Sequence, residues 1–130
     1  YEGNVQSREH YNWTRYYALN LHSVFYRGTV EWRCFNSTLH AGKVAAYVNL
    51  CLAMSAQAIS QRSTVMRKTV SDNELFTFRV WLVRLGLNGD EFKNTRNHLL
   101  ANLSGDRAWR FDKDSYEVNQ KKKKSREMER

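Results

Sequence analysis

The sequence contains no proline, six glycines and two cysteines in 130 residues. Without proline, the ends of its elements have to be read from glycines and capping side chains. No run of eighteen or more uncharged apolar residues occurs, which excludes a transmembrane helix. The chain opens Tyr1-Glu2-Gly3-Asn4, with neither an initiator methionine nor a charged-then-apolar leader. The expectation is therefore a piece of something longer, with no secretory signal in view. Two cysteines cannot build a disulfide framework. Cys34 and Cys51 both sit in apolar segments and are expected to be reduced, buried thiols of a cytoplasmic protein. His10, His22, His40 and His98 are far apart in sequence, without the spacing of zinc ligands. Nor is there a glycine-rich phosphate loop: Gly86-x-x-Gly89 lacks the following Lys and Ser/Thr, and reads as helix-end punctuation.

Charge is present in excess but is unevenly placed. The net charge is +8, and Lys121 to Arg130 alone holds six basic and two acidic residues, a net of +4. Residues 112–130 have no hydrophobic period and read as a basic, disordered tail, capable at most of loose contact with nucleic acid. The +4 that remains is spread over the rest of the chain and does not mark a DNA-binding protein.

The other residues, 1–111, read as a single α+β domain. Residues 1–14 are polar, with Tyr11 and Trp13 as possible anchors. Residues 15–24 are rich in aromatic and apolar side chains and predict a strand, Tyr26-Arg27-Gly28 a turn, and residues 29–35 a second strand. Strict alternation in the second strand puts Val30, Trp32 and Cys34 on one face and Thr29, Glu31, Arg33 and Phe35 on the other. A helix follows over residues 40–62, with Val44, Tyr47, Val48, Cys51, Met54 and Ala58 at helical spacing and Leu50, Leu52 and Ile59 widening the stripe, which suggests a central core helix. Ser71-Asp72-Asn73-Glu74 has the form of a capping box opening a helix that Gly86 ends. A last helix runs over residues 90–103, closed by Ser104-Gly105. Trp32, Trp81 and Trp109 read as core or rim aromatics. Two strands alone make a poor sheet, so the hairpin is expected to extend a larger antiparallel sheet supplied by a missing N-terminal half or a partner chain, backed by about three helices.

The chemistry lies on the hairpin. Glu31 and Arg33 share a face about 7 Å apart along the strand. A carboxylate can hold Mg²⁺, and a guanidinium beside it can steady a phosphate or a developing acyl phosphate. The same pair is also what an ordinary ion pair on a solvated face looks like. Asn20 and His22 share a face of the preceding strand and could offer neutral donors and acceptors. Cys34 lies on the face opposite Glu31, which argues against a nucleophilic role.

The stretches Arg15-Tyr16-Tyr17-Ala18-Leu19-Asn20-Leu21 and Gly28-Thr29-Val30-Glu31-Trp32-Arg33, followed by Asn36-Ser37-Thr38-Leu39, resemble the amidoligase family, with its R-Y-x-x-L-N-L strand, its G-T-[IV]-E-[FW]-R strand and its N-x-T-L sequence. The stretches from Phe78 to Lys93, Arg96 to Leu100 and Gly105 to Arg110 look like the C-terminal helical part of bacterial members. The resemblance implies the C-terminal part of a glutamine-synthetase-like catalytic domain. It also implies a ligase that uses ATP and Mg to activate a carboxylate as an acyl phosphate, which an amine then attacks to form an amide. By the same resemblance Glu31 is the metal-facing carboxylate and Arg33 the phosphate- or carboxylate-binding arginine. Arg15, Tyr16, Asn20 and Asn36 are substrate- or nucleotide-binding candidates. The substrates implied are a carboxylate and an amine, with peptides among the candidates. The family's E-x-E-type metal strand and its histidine-containing segment are not in these residues, so a chain inactive by itself is expected.

Two other functions fit the residues. The helices over 72–86 and 90–103 around a Gly-containing turn have the outline of a DNA-binding helix-turn-helix, with Lys93, Asn94, Asn97 and His98 on the second helix. Asp90 and Glu91 at its N-terminus oppose that reading, so nucleic acid is not an expected specific partner. A non-catalytic partner-binding module using the hairpin's open edge is the other alternative.

Overall fold

A computed structural model describes residues 13–111 and 113–128. His10 and Tyr11 lie outside the described residues. The fold is α+β, with a two-stranded antiparallel sheet and five α-helices among the described residues. The chain separates into two compact units, residues 1–39 and 40–130.

In the first unit a 3₁₀ turn, Trp13–Tyr16, precedes strand β1, Leu19–Asn20, and strand β2 is Glu31–Trp32. The strands pair antiparallel with Leu19 opposite Trp32 and Asn20 opposite Glu31. The Arg33 N–H extends the pairing by donating to the Ala18 carbonyl at 2.7 Å. Both strands are far shorter than the sequence predicts, and the link between them is a helix, α1, His22–Arg27, in place of a tight turn. The cause is local. The Asn20 side-chain carbonyl accepts from the His22 N–H at 2.9 Å, starting a helical turn where the aromatic pattern suggests extended backbone. Gly28, at φ +69°, then ends that turn, and its N–H donates to the Val24 carbonyl at 3.1 Å. Gly28 is thus a helix terminator instead of a hairpin residue.

Among the described residues of this unit the buried side chains are polar: Thr14, Asn20, His22 and Ser23. Val30 and Cys34, expected on one face with Trp32, are exposed, and Trp32 is half-buried. Cys34 is exposed, which corrects its expected burial, Cys51 is half-buried, and neither is in a disulfide. With only two residues in each strand, there is no sheet face wide enough to cover alternate side chains.

The second unit is helical. Helix α2 is Ala41–Ser60, close to its predicted span. Helix α3 is Glu74–Arg84 and helix α4 is Lys93–Leu100. The core is Ala46 and Leu50 of α2, Leu75 and Leu82 of α3, Leu87, and Leu100 of α4. Helix α2 is less enclosed than its apolar stripe suggests. Val44, Val48, Leu52 and Ile59 are exposed, because α4 covers only the side that carries Ala46 and Leu50. No helix among the described residues is long and apolar enough to cross a membrane.

The start and end of α3 follow from named residues. Asn73 is its N-cap, accepting from the Phe76 N–H at 2.9 Å, so the cap falls on the third residue of the expected box and Glu74 is already helical. Ser71 Oγ instead donates to the Asn73 carbonyl at 3.0 Å. At the other end Gly86, at φ +88°, donates to the Val83 carbonyl at 3.0 Å, and the Leu87 N–H donates to the Leu82 carbonyl at 3.0 Å. That pair of bonds is a Schellman closure, and its usual hydrophobic contact is met by buried Leu82 and Leu87.

Helix α5, Lys113–Met128, occupies the basic segment that reads as a disordered tail. Its residues have little hydrophobic period, yet Lys, Arg, Glu, Gln and Met are good intrinsic helix formers. Asp114 in the first turn and Arg126 in the last both favour the helix dipole.

Candidate functional site

Five of the six sequence-predicted site residues meet on the short sheet of the first unit. Asn20 and Glu31 are directly opposed, and Asn20 Nδ2 donates to Glu31 Oε2 at 2.7 Å. The same amide nitrogen donates to Ser23 Oγ at 3.2 Å, and its carbonyl is held by the His22 N–H. Asn20 is 2% exposed, so its amide is a fixed strut under the carboxylate. On the other side of Glu31, Arg33 Nε stands 3.7 Å from Oε1. The carboxylate therefore has one neutral donor behind it and one cation beside it.

Arg33 is braced in turn. Its Nη1 donates to the Arg15 carbonyl at 2.8 Å, and its guanidinium carbon lies 5.6 Å from the centre of the Tyr16 ring. The Arg15 guanidinium carbon is 5.7 Å from the same ring. Tyr16 thus takes two guanidinium groups, and its exposed face leaves them near solvent. A guanidinium has five N–H donors in a planar fork, and the Arg15 carbonyl occupies one of Arg33's. The side chains of Arg33 and Glu31 are 35% and 48% exposed, so a ligand from solvent can reach both.

Asn36 is not brought to this cluster. It is exposed in the irregular segment after β2 and joins none of the contacts that tie the other five together. Sequence reasoning in turn missed Ser23 and the backbone carbonyl of Arg15. Ser23 falls three residues after Asn20, a helix-start spacing that strand periodicity hides.

The carboxylate set bears on magnesium. No group of three or more His, Cys, Asp or Glu side chains suited to a metal occurs among the described residues. Glu31 is a single carboxylate, and magnesium is commonly held by one or two carboxylates with phosphate oxygens and waters completing the shell. Glu31 therefore fits as one contributor to a phosphate-rich site and does not make a protein cage.

Two of the histidines come together in space. His40 and His98, distant in sequence, meet in the second unit with ring centroids 4.9 Å apart in an edge-on arrangement. Gly42 makes the approach possible, since a Cβ there would lie 2.5 Å from His98 Nε2. His98 is therefore engaged against α2, and Lys93, Asn94 and Asn97 are what remains exposed of the proposed reading face of α4.

The opposed strands, with Glu31 and Arg33 in the second, are the segment on which the comparison with known proteins turns. Residues 1–55 match the family described as "Putative amidoligase enzyme". That match takes in both strands and all six candidate residues, and by its description the family is one of ligase-type enzymes. It ends within α2, so the stretches from Phe78 to Arg110 that resemble bacterial members lie outside it, and it does not support placing the chain at the C-terminal end of such a domain. No curated protein and no solved structure matches the chain significantly.

Proposed function

We propose that the Asn20–Glu31–Arg33 cluster belongs to the active site of an ATP- and Mg-dependent carboxylate–amine ligase with a glutamine-synthetase-like catalytic fold, its short sheet continued by strands from outside these residues. The observation that carries this reading is the cross-strand register. It sets a carboxylate opposite a buried amide and beside a braced guanidinium, all within the segment matched by the amidoligase family. ATP, when bound with magnesium, supplies the phosphoryl group that turns a carboxylate into an acyl phosphate.

The chain's own residues have distinct tasks in this scheme. Asn20 holds the Glu31 carboxylate in one orientation, so no reorganisation is needed when a cation arrives. Glu31 offers its oxygens to magnesium. Arg33 has a planar donor fork suited to a phosphate or carboxylate, and the Arg15 carbonyl and Tyr16 ring fix its plane. Arg15 adds a second cation beside the same ring, so that developing negative charge on a phosphoryl group meets two guanidinium groups.

Hydroxylamine trapping, run on a protein that carries this segment together with the strands completing its sheet, tests the scheme without knowledge of the natural amine. An acyl phosphate formed from a supplied pool of amino acids and short peptides is captured as a hydroxamate. Formation is expected to require both ATP and Mg, and to fall by at least about a hundredfold in Glu31→Gln, the scale typical of losing one charge-stabilising group. Unchanged hydroxamate formation in Glu31→Gln would remove Glu31 from the mechanism.

A further inference from the structure

Helix α5 carries a second surface, far in character from the ligase cluster. Lys121, Lys122, Lys123, Lys124 and Arg126 fall within about 7.5 Å of helix rise. Lys121 and Lys124 are three residues apart and Lys122 and Arg126 four apart, spacings at which like charges on a helix repel. Glu117, four residues before Lys121, and Glu127, three after Lys124, offset only part of this charge, and every side chain described on α5 is exposed, so the run is open to a polyanion from solvent.

The nature of that polyanion follows from what lies at the other end of the helix. Trp109 and Tyr116 pack with ring centroids 5.0 Å apart and planes inclined at 54°. Both remain partly open to solvent, at 39% and 40%, and Phe111 beside them is 53% exposed with the Arg110 guanidinium 5.5 Å from its ring centre. The backbone under this aromatic group is fixed. Asp106 Oδ1 accepts from the Ala108 and Trp109 N–H groups at 2.6 and 2.8 Å, and Asn73 Nδ2 donates to the Trp109 carbonyl at 2.7 Å. A lipid surface fits poorly, because α5 has no apolar face: Tyr116 and Val118 point about 200° apart around the helix. Accessible aromatic faces next to a run of cations are what unpaired bases and their phosphates require.

We infer that α5 and the Trp109–Tyr116 aromatic group bind single-stranded nucleic acid, the rings stacking on bases and the lysine run following the phosphates. This surface lies in the unit spanning residues 40–130, whereas Glu31 and Arg33 lie in the unit spanning 1–39, so the two sites can fail separately.

The test is fluorescence anisotropy of a labelled single-stranded oligonucleotide with the 130-residue chain, without ATP or magnesium. With about four phosphates neutralised, affinity should fall roughly fifty-fold between 50 and 200 mM salt. The quadruple variant K121Q/K122Q/K123Q/K124Q should retain only about a threefold salt dependence or less. Trp109→Leu and, separately, Tyr116→Leu should weaken binding at least about fivefold at fixed salt while leaving the salt slope unchanged. Circular dichroism checks that each variant keeps its helix content. Absence of binding at 50 mM salt would overturn the inference. So would equal affinity for an abasic oligonucleotide, for heparin or for anionic vesicles, since the bases would then contribute nothing.

Discussion

Asn20 engages both ends of its amide: Nδ2 serves Glu31 and Ser23, and Oδ1 takes the first N–H of α1. One buried side chain therefore sets the local backbone and orients the carboxylate above it. Asn20→Ala leaves the His22 N–H and the Glu31 carboxylate without this partner. It should cost about 1–3 kcal/mol, the range for a buried hydrogen-bonding group left unsatisfied, measured by urea unfolding. No loss of stability would mean that water replaces the amide and that the strut is dispensable. The pairing of Glu31 with Arg33 was legible in the sequence, since alternation on any extended backbone puts them on one face. The strut was not, because the Asn20–Glu31 register depends on how the chain returns, and it returns through a helix that the aromatic pattern concealed.

At the scale of elements, glycines and caps decide where helices stop. Gly86 and Gly105 both have positive φ, at +88° and +118°, but their surroundings differ. A Cβ on Gly86 meets nothing within 4 Å, whereas one on Gly105 runs into the Asn73 side chain. Gly86→Ala should therefore cost only the backbone strain, about 1–2 kcal/mol. Gly105→Ala should cost more, because it also displaces the cap of α3 and the bonds from Asn73 to the Asp106 and Trp109 carbonyls. Equal losses in urea unfolding would show that Asn73 moves aside freely. Helices α2 and α3 were legible because their apolar residues recur at helical spacing and because Asn73 and Gly86 mark the ends of α3. Helix α5 was invisible to that criterion, since its helical tendency rests on long unbranched side chains and on charges aligned with the dipole. The strands failed for the opposite reason: aromatic and alternating residues suggested long strands, but Asn20 and Gly28 favour the helical turn between them.

At the scale of the molecule, the apolar core among the described residues lies in residues 40–130, while the described buried residues of the first unit are polar. Leu82 is fully buried among the helices, and Leu82→Ala should cost about 2–5 kcal/mol in urea unfolding. A loss under about 1 kcal/mol would contradict the helical core as described. The cluster of Arg15, Tyr16, Asn20, Glu31 and Arg33 has no comparable apolar support among the described residues. Its order rests on hydrogen bonds, an ion pair and ring contacts. In the proposed function this polar unit receives a nucleotide phosphate. Thermal unfolding of the chain titrated with Mg-ATP, beside Arg33→Ala, tests it most directly. A saturable rise in midpoint is expected for the wild type, equivalent to about 2.7 kcal/mol at a hundred times the dissociation constant, and is expected to be lost in Arg33→Ala. No saturable rise, or the same rise in both proteins, would contradict it.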